Sequence, residues 1–353
     1  MSLPDPGQPF VTGSVKTASG TVPQVSSTLT WRDHFGTIKT RWGVGRMSYI
    51  VDPGLHALGN PDESSSVLVS ANYKMSFDRL RETLHGRDAW ILVLDTGGIN
   101  VWCSAGKGTF GTAELVRKII TSGISQIVSH RNIILPQLAG PGVAAHLVRK
   151  YSGFKVNYGP VRARDLPAYL DAGCRALPEM RIETFTLWER TAVIPVELVE
   201  AMKIAVFVLP LAFFLGGLGG PGEYWGNVLN YGTFASAAIL SAVLVGTILV
   251  PIFLPFLPGR AFSVKGFWLG LLTTLILVLL RSPDISVWPG RFETAAWFFL
   301  VIPITMYLSM NFTGASTYTS LSGVRKEMRW ALPVGIASGI AGIVLWLGSR
   351  FTA

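Results

Sequence analysis

Short apolar runs alternate with helical spacings through the first 200 residues, and long uninterrupted apolar stretches fill the rest. In the first part, Ser66–Ser70 predicts a strand, Phe77–Leu84 a helix, and Trp90–Asp95 a buried strand running into Thr96 and two glycines. A helix over Thr112–Ser122, with Thr112 as its cap, and a strand at Gln126–Ser129 follow. Then come a helix over Ala144–Tyr151, a strand at Phe154–Val156 and a helix over Ala163–Ala172. Such repetition argues a doubly wound α/β sheet, whose ligands bind beyond the carboxyl ends of the strands. The loops to inspect are therefore Thr96–Gly111, Leu135–Gly142 and Tyr158–Arg164. Met1–Thr28 is rich in Gly, Pro, Ser and Thr, shows no signal-peptide pattern, and is expected to be a flexible tail.

The second part predicts five membrane spans, near residues 204–219, 234–256, 262–280, 294–310 and 330–348. Five such stretches in succession argue against the buried core of a large soluble protein. Composition agrees: 49% of the chain is hydrophobic and only 14% charged, against about 25% charged in soluble domains. Residues 1–200 hold 21 Lys and Arg with 17 Asp and Glu, while residues 201–353 hold 9 and 4. The expected division is a tail at 1–28, a charged domain at 29–199 and a membrane domain at 200–353. Arg260, Lys265, Arg325, Lys326 and Arg329 cluster in loops on one side. By the positive-inside rule, the front domain lies in the cytoplasm and the carboxyl terminus outside the inner membrane. Charges fall at span ends, so no ion or proton pathway is visible and the bland expectation is an anchor. Nothing in the pattern points to nucleic acid.

The loop after Asp95 carries the candidate chemistry. Gly106-Lys107 looks like the end of a P-loop, but Val101 stands where its first glycine belongs and Gly108 replaces the magnesium-holding Ser or Thr. Gly106-Lys-Gly-Thr-Phe-Gly111 fits the dinucleotide fingerprint, which would make the chain a nucleotide-dependent oxidoreductase. Ten residues intervene after Asp95, however, and no acidic residue ends the next strand. Asn100–Lys107 reads instead as a short helix between glycine hinges, centred on Trp102-Cys103. A thiol near a helix start is expected to have a lowered pKa, with Lys107 favouring the thiolate further. Such a cysteine is a nucleophile, a soft-metal ligand or a buried inert thiol. Cys174, beside Gly173, reads as structural. A transport protein with a cytoplasmic regulatory domain would want polar residues within the spans, and these are not evident.

Asn100-Val-Trp-Cys-Ser-Ala-Gly-Lys107 closely resembles the cap-helix motif of the mercury-methylating corrinoid proteins. The likeness extends through Trp42-Gly-Val-Gly-Arg46, Ala71-Asn-Tyr-Lys74, Leu94-Asp-Thr96, Thr109-Phe-Gly-Thr112, His130-Arg131, Leu135-Pro-Gln-Leu138 and Tyr158-Gly-Pro-Val161. Ser104 departs from the family's usual alanine, a small-for-small change expected to spare the cap, with a hydroxyl able to alter hydrogen bonding beside the sulfur. The front domain is also similar to the corrinoid domain of the corrinoid iron–sulfur protein of acetyl-CoA synthesis.

The resemblance implies a Rossmann-like α/β corrinoid-binding domain followed by an all-α transmembrane domain of five helices. It implies that Cys103 is the lower axial ligand of cobalt in a base-off, cobalamin-type corrinoid, and that the activity is methyl transfer to Hg(II). A thiolate is a strong donor, which suits a soft electrophile. The corrinoid rim would be drawn from Thr96, Asn100, Val101, Trp102, Ala105, Gly106, Lys107, Gly108 and Thr109, and from Leu135, Gln137, Gly140 and Gly142. Many base-off corrinoid enzymes use Asp-x-His-x-x-Gly, but Gly54 stands where the Asp before His56 belongs. The chain lacks the four cysteines of an iron–sulfur cluster. The resemblance therefore implies an external reductant, a ferredoxin-like protein with two 4Fe-4S clusters. It also implies a folate-linked methyltransferase of anaerobic metabolism as methyl donor.

Overall fold

The computed structural model describes residues 4–312 and 321–352. The chain divides into two compact units, residues 1–40 with 44–184, and residues 41–43 with 185–353. The observed boundary lies before the one expected at 199. Phe185 packs against Phe312 at 6.1 Å between ring centroids and belongs with Val250, Leu254 and Phe262 to an apolar cluster of the helical unit.

The first unit is built on one mixed seven-stranded sheet in the order β1-β2-β3-β5-β4-β6-β7. Its strands are β1 (Val11–Thr17), β2 (Gly20–Val25), β3 (Gly54–Leu58), β4 (Val67–Ala71), β5 (Ala89–Leu94), β6 (Asn132–Leu135) and β7 (Lys155–Tyr158). Strands β5-β4-β6-β7 run parallel, and β3 joins antiparallel to β5. Its helices are α1 (Trp31–Arg41, whose last residue falls in the second unit), α2 (Lys74–Thr83), α3 (Val101–Lys107), α4 (Thr112–Ser122), α5 (Ile124–Ile127), α6 (Ala145–Ser152) and α7 (Leu166–Asp171). β4 and β5 are buried at every residue, as the continuous apolar runs require.

Three sequence expectations fail. The expected flexible tail instead contributes the β1-β2 hairpin, turned at Gly20 with φ of +115°. Its glycines and serines obscure two buried valines, Val22 in one core cluster of the sheet and Val25 in the other. The expected strand at Gln126–Ser129 is the end of the short helix α5 and the loop that follows, because Gly123, at φ +65°, ends α4 and Ile124 restarts a turn into the core. Thr112 opens α4 but does not cap it; its hydroxyl accepts a hydrogen bond from the Ala144 N–H at 2.8 Å.

His56 lies fully buried on β3, 5.4 Å from the Phe77 ring, with neither ring nitrogen hydrogen-bonded. Burial pushes its pKa down to about 4. The unfolded imidazole takes up a proton near pH 6.5, so between 6.5 and 4 the unfolded chain binds more protons. The first unit is thus expected to lose about 3 kcal/mol of stability across that window, and no more from this residue below it. His56→Leu should flatten this part of the pH dependence in denaturant unfolding. An unchanged profile would assign the acid lability elsewhere.

The second unit opens with α8 (Leu187–Thr191) and α9 (Ile194–Leu215). It continues with α10 (Tyr224–Phe253, two of whose turns are π-helical), α11 (Phe262–Arg281), α12 (Trp288–Asn311) and α13 (Leu321–Phe351). Five helical stretches in it are long and apolar enough to cross a membrane: Leu187–Leu215, Tyr224–Phe253, Phe262–Arg281, Trp288–Asn311 and Gly323–Phe351. Two buried charged groups near helix ends have partners. Lys265 donates to the carbonyls of Leu254 and Leu257, and Glu327 accepts from the Ser263 N–H.

Candidate functional site

The carboxyl ends of β4, β5, β6 and β7 open onto one edge, where the chain crosses from β5 over β4 to β6. The loops expected to carry chemistry meet there. Asn72, just beyond β4, is nearly fully buried and organises the first of them. Its Oδ1 accepts from the N–H of Thr96 at 3.1 Å, the Thr96 hydroxyl at 2.8 Å and the N–H of Gly98 at 3.0 Å. Gly97 and Gly98 hold φ of +64° and +72°, which lets the chain turn sharply out of β5. Asn72 was not singled out as a site residue, although it lies just past an apolar strand and within the Ala71-Asn-Tyr-Lys74 segment of the resemblance.

The short helix forms as the sequence pattern predicts. Asn100 is its N-cap, accepting from the Cys103 N–H at 2.9 Å, and Gly108 ends it in the left-handed region at φ +85°. Ser104 is fully buried, and its hydroxyl donates to the carbonyls of Asn100 at 2.6 Å and Val101 at 3.1 Å. The extra oxygen relative to alanine is thus bonded to the helix's own first-turn carbonyls. The glycine fingerprint does not form a strand-to-helix turn: Gly106 lies within α3 and Gly111 precedes α4. A pyrophosphate cradle needs that turn directly after a strand, so the nucleotide reading fails on geometry.

The second rim packs directly against the first. A Cβ on Gly142 would strike the Phe110 carbonyl and come within 3.0 Å of the Ala105 backbone. Only glycine allows this approach, and the Tyr158 hydroxyl fixes the same segment by donating to the Val143 carbonyl at 2.7 Å. Gln137 accepts through Oε1 from Arg181, which also donates to the carbonyls of Tyr158 and Gly159. Arg181 ties the β6 and β7 loops together and was missed at the sequence level.

The expected rim residues separate into three sets. Thr96, Val101, Ala105 and Leu135 are buried and support the loops from beneath. Trp102, Gly106, Lys107, Gly108, Thr109 and Gly140 are exposed; Asn100, Cys103, Gln137 and Gly142 lie between these extremes. Cβ atoms on Gly97, Gly106 or Gly108 would meet nothing within 4 Å, so backbone borders open space there. Met47 and Ile50 are exposed nearby, and both pack on Gly98.

The Cys103 thiol differs from expectation. Burial pushes its pKa up, and the nearby charges of Lys107 and Arg46 and the Asn100 hydrogen bond only partly oppose this. The helix start and one lysine do not offset loss of water around the sulfur. Among the described residues, no three His, Cys, Asp or Glu side chains gather as a metal site. Cys174 is exposed at φ +62°, its N–H bonded to the Tyr169 carbonyl. Cys174→Ala should leave the stability of the first unit within about 0.5 kcal/mol, as surface changes usually do, and a larger loss in denaturant unfolding would give this thiol a structural role.

The edge defines an α/β domain with one half-buried cysteine raised on a short helix over a glycine-lined face. Residues 28–169 match the family of the CO dehydrogenase/acetyl-CoA synthase delta subunit. The same region is similar to the gamma subunit of the acetyl-CoA decarbonylase/synthase complex. The Methanopyrus kandleri protein is 35% identical over 127 residues, covering 34% of this chain and 26% of the relative. That of Methanocaldococcus jannaschii is 38% identical over 96 residues, covering 27% and 20%. That of Methanothermobacter thermautotrophicus is 32% identical over 128 residues, covering 36% and 28%. The chain thus spans about a quarter of the length of these relatives.

Proposed function

We propose that the chain is a membrane-anchored, corrinoid-dependent methyltransferase that forms methylmercury from Hg(II). The observation that carries this is Cys103, presented on the capped helix α3 beside backbone that a flat macrocycle can approach. Similarity to subunits of acetyl-CoA synthase and decarbonylase complexes supports the corrinoid, and the motif around Cys103 supports mercury.

The residues suit the cofactor. A single soft sulfur, with no second protein ligand set among the described residues, fits a metal whose other ligands come from a macrocycle. His56 is walled into the core of β3 and is no rival. Cys103 Sγ would hold the cobalt of a bound corrinoid, a group that would supply the methyl passed to Hg(II). Cys103 must release its proton from Sγ to coordinate, against the burial that favours the thiol; Lys107 and Arg46 favour the anion. Asn100 and Gly108 fix the ends of α3, while Asn72 anchors the hinge beneath it. Exposed Trp102, Met47 and Ile50 offer apolar surface to the ring, and Thr109 and Gln137 offer polar groups to its amides or nucleotide tail.

In this reading the five apolar helices are membrane spans that anchor the chain in the inner membrane, with the first unit in the cytoplasm and the carboxyl terminus outside. A ferredoxin-like protein with two 4Fe-4S clusters serves as reductant, and a folate-linked methyltransferase supplies the methyl group. The test is anaerobic purification of the full chain from cells supplied with corrinoid, followed by visible spectroscopy, cobalt analysis and methylmercury assay. One cobalt per chain with a corrinoid spectrum and methylmercury formation is expected. A colourless, cobalt-free, folded protein would overturn the reading; a corrinoid protein inert toward Hg(II) would overturn its mercury part.

A further inference from the structure

The helical unit holds a long apolar groove of about 620 Å³ between α9 and α13, floored by α10 and α12. Its lining runs along α9 from Ala201 to Leu215, about 21 Å at 1.5 Å per residue, and along α13 from Ala331 to Trp346. Ile204 and Ile343 on its flanks are exposed. One turn beyond Trp346, at the end of the groove, lies Arg350. Its side chain is buried, with Nε and Nη2 lacking any hydrogen-bond partner, and its guanidinium stacks 3.1 Å from the Tyr231 ring centroid. Gly219 and Gly220, at φ of +66° and +85°, wrap this residue, and the Gly220 N–H donates to the Arg350 carbonyl. A side chain at Gly220 would collide with the Arg350 guanidinium.

Arg281 lies on the same Tyr231 ring at 4.7 Å, but Glu293 neutralises it at 3.0 Å and Asn230 accepts from it at 2.6 Å. No carboxylate pairs with Arg350 among the described residues. An arginine buried without a counter-charge is strongly destabilising, so the site calls for an anion. The anion's position at the end of an apolar groove in a bundle read as membrane-spanning says what carries it. We propose that this groove binds one anionic phospholipid, with its phosphate on Arg350 and an acyl chain along α9 and α13. The two halves of the ligand answer two independent features, the unpaired cation and the apolar channel.

This rests on reading the five helices as membrane spans, which is tested separately by resistance of the full-length chain to alkaline extraction from membranes. For the lipid itself, the full-length chain is purified in detergent and incubated with phosphatidylglycerol or phosphatidylcholine of matched acyl chains, and bound lipid is read by native mass spectrometry. The wild type is expected to hold one phosphatidylglycerol per chain in preference to phosphatidylcholine. Arg350→Gln should weaken that preference about tenfold, the loss of a charged contact. Gly339→Leu, whose new side chain enters open groove space, should reduce retention of both lipids while leaving Arg350 in place. Extraction-resistant protein that binds no phosphatidylglycerol, or binds it equally in all three forms, overturns the lipid site alone. Competition by inorganic phosphate as effective as that by phosphatidylglycerol would reduce it to a free-anion site and overturn the proposal. A chain that washes off the membrane overturns both readings.

Discussion

Cys103→Ala is expected to abolish methylmercury formation while the first unit stays folded. Changes to residues that only support metal ligands cost about 10–100-fold, so loss of the ligand itself should exceed that range and fall below detection. The fold should survive because the α3 cap uses the backbone N–H of residue 103, not its sulfur, to bond Asn100. Removing one half-buried sulfur costs about 1 kcal/mol. Corrinoid should still bind in part, held by the glycine-lined rims, with its visible spectrum shifted by loss of the sulfur ligand. Cys103→His should retain a metal ligand but a weaker donor, and activity should fall severely. Full activity in Cys103→Ala would remove this cysteine from the chemistry.

The parts of this fold legible in the sequence are those where one physical signal dominates. β5 announced itself because both its faces are covered, giving an unbroken apolar run from Ala89 to Leu94. The short helix was legible because glycines bracket it and Asn100 caps it. The β1-β2 hairpin was not, because Gly, Ser and Pro dilute its few apolar residues, and only the finished sheet shows that Val22 and Val25 are buried, each in a different core cluster. The protonation preference of Cys103 was misjudged for a related reason. Neighbouring charges can be read from spacing, but burial depends on how Gly142 seats the second rim against α3. Asn72 and Arg181 are likewise tertiary facts: each joins loops far apart in the chain.

The second large effect is expected far from the sulfur. Asp33, Asp78, Lys74 and Arg81 form a buried, charge-balanced cluster: Lys74 Nζ lies 2.5 Å from Asp33 and 2.7 Å from Asp78, and Arg81 reaches the same two carboxylates at 3.0 and 2.8 Å. Arg81 also donates to the carbonyls of Ser26 and Thr28, so the cluster ties the segment after β2 to α1 and α2. Lys74 starts α2 two residues after Asn72, which makes the cluster the footing of the hinge below α3. Burial alone would raise the Asp33 pKa, but hydrogen bonds from Lys74 and the Thr30 N–H, with the charges of Lys74 and Arg81, hold it well below the usual carboxylate range. Its contribution to stability is therefore present above pH 4 and lost as pH falls toward the folded value. Asp78→Asn leaves two buried cations facing one carboxylate, which should cost about 3–5 kcal/mol, a large share of a stability of about 5–15 kcal/mol. Amide hydrogen exchange of β4 and β5 in the full-length chain should accelerate about 100-fold or more. Replacing Lys74 and Asp78 together, by Met and Leu, should recover part of that protection because it removes one charge of each sign. Unaltered exchange in Asp78→Asn would show that the cluster does not hold the sheet, and equal loss in the double variant would show that packing, not charge, is what Asp78 supplies.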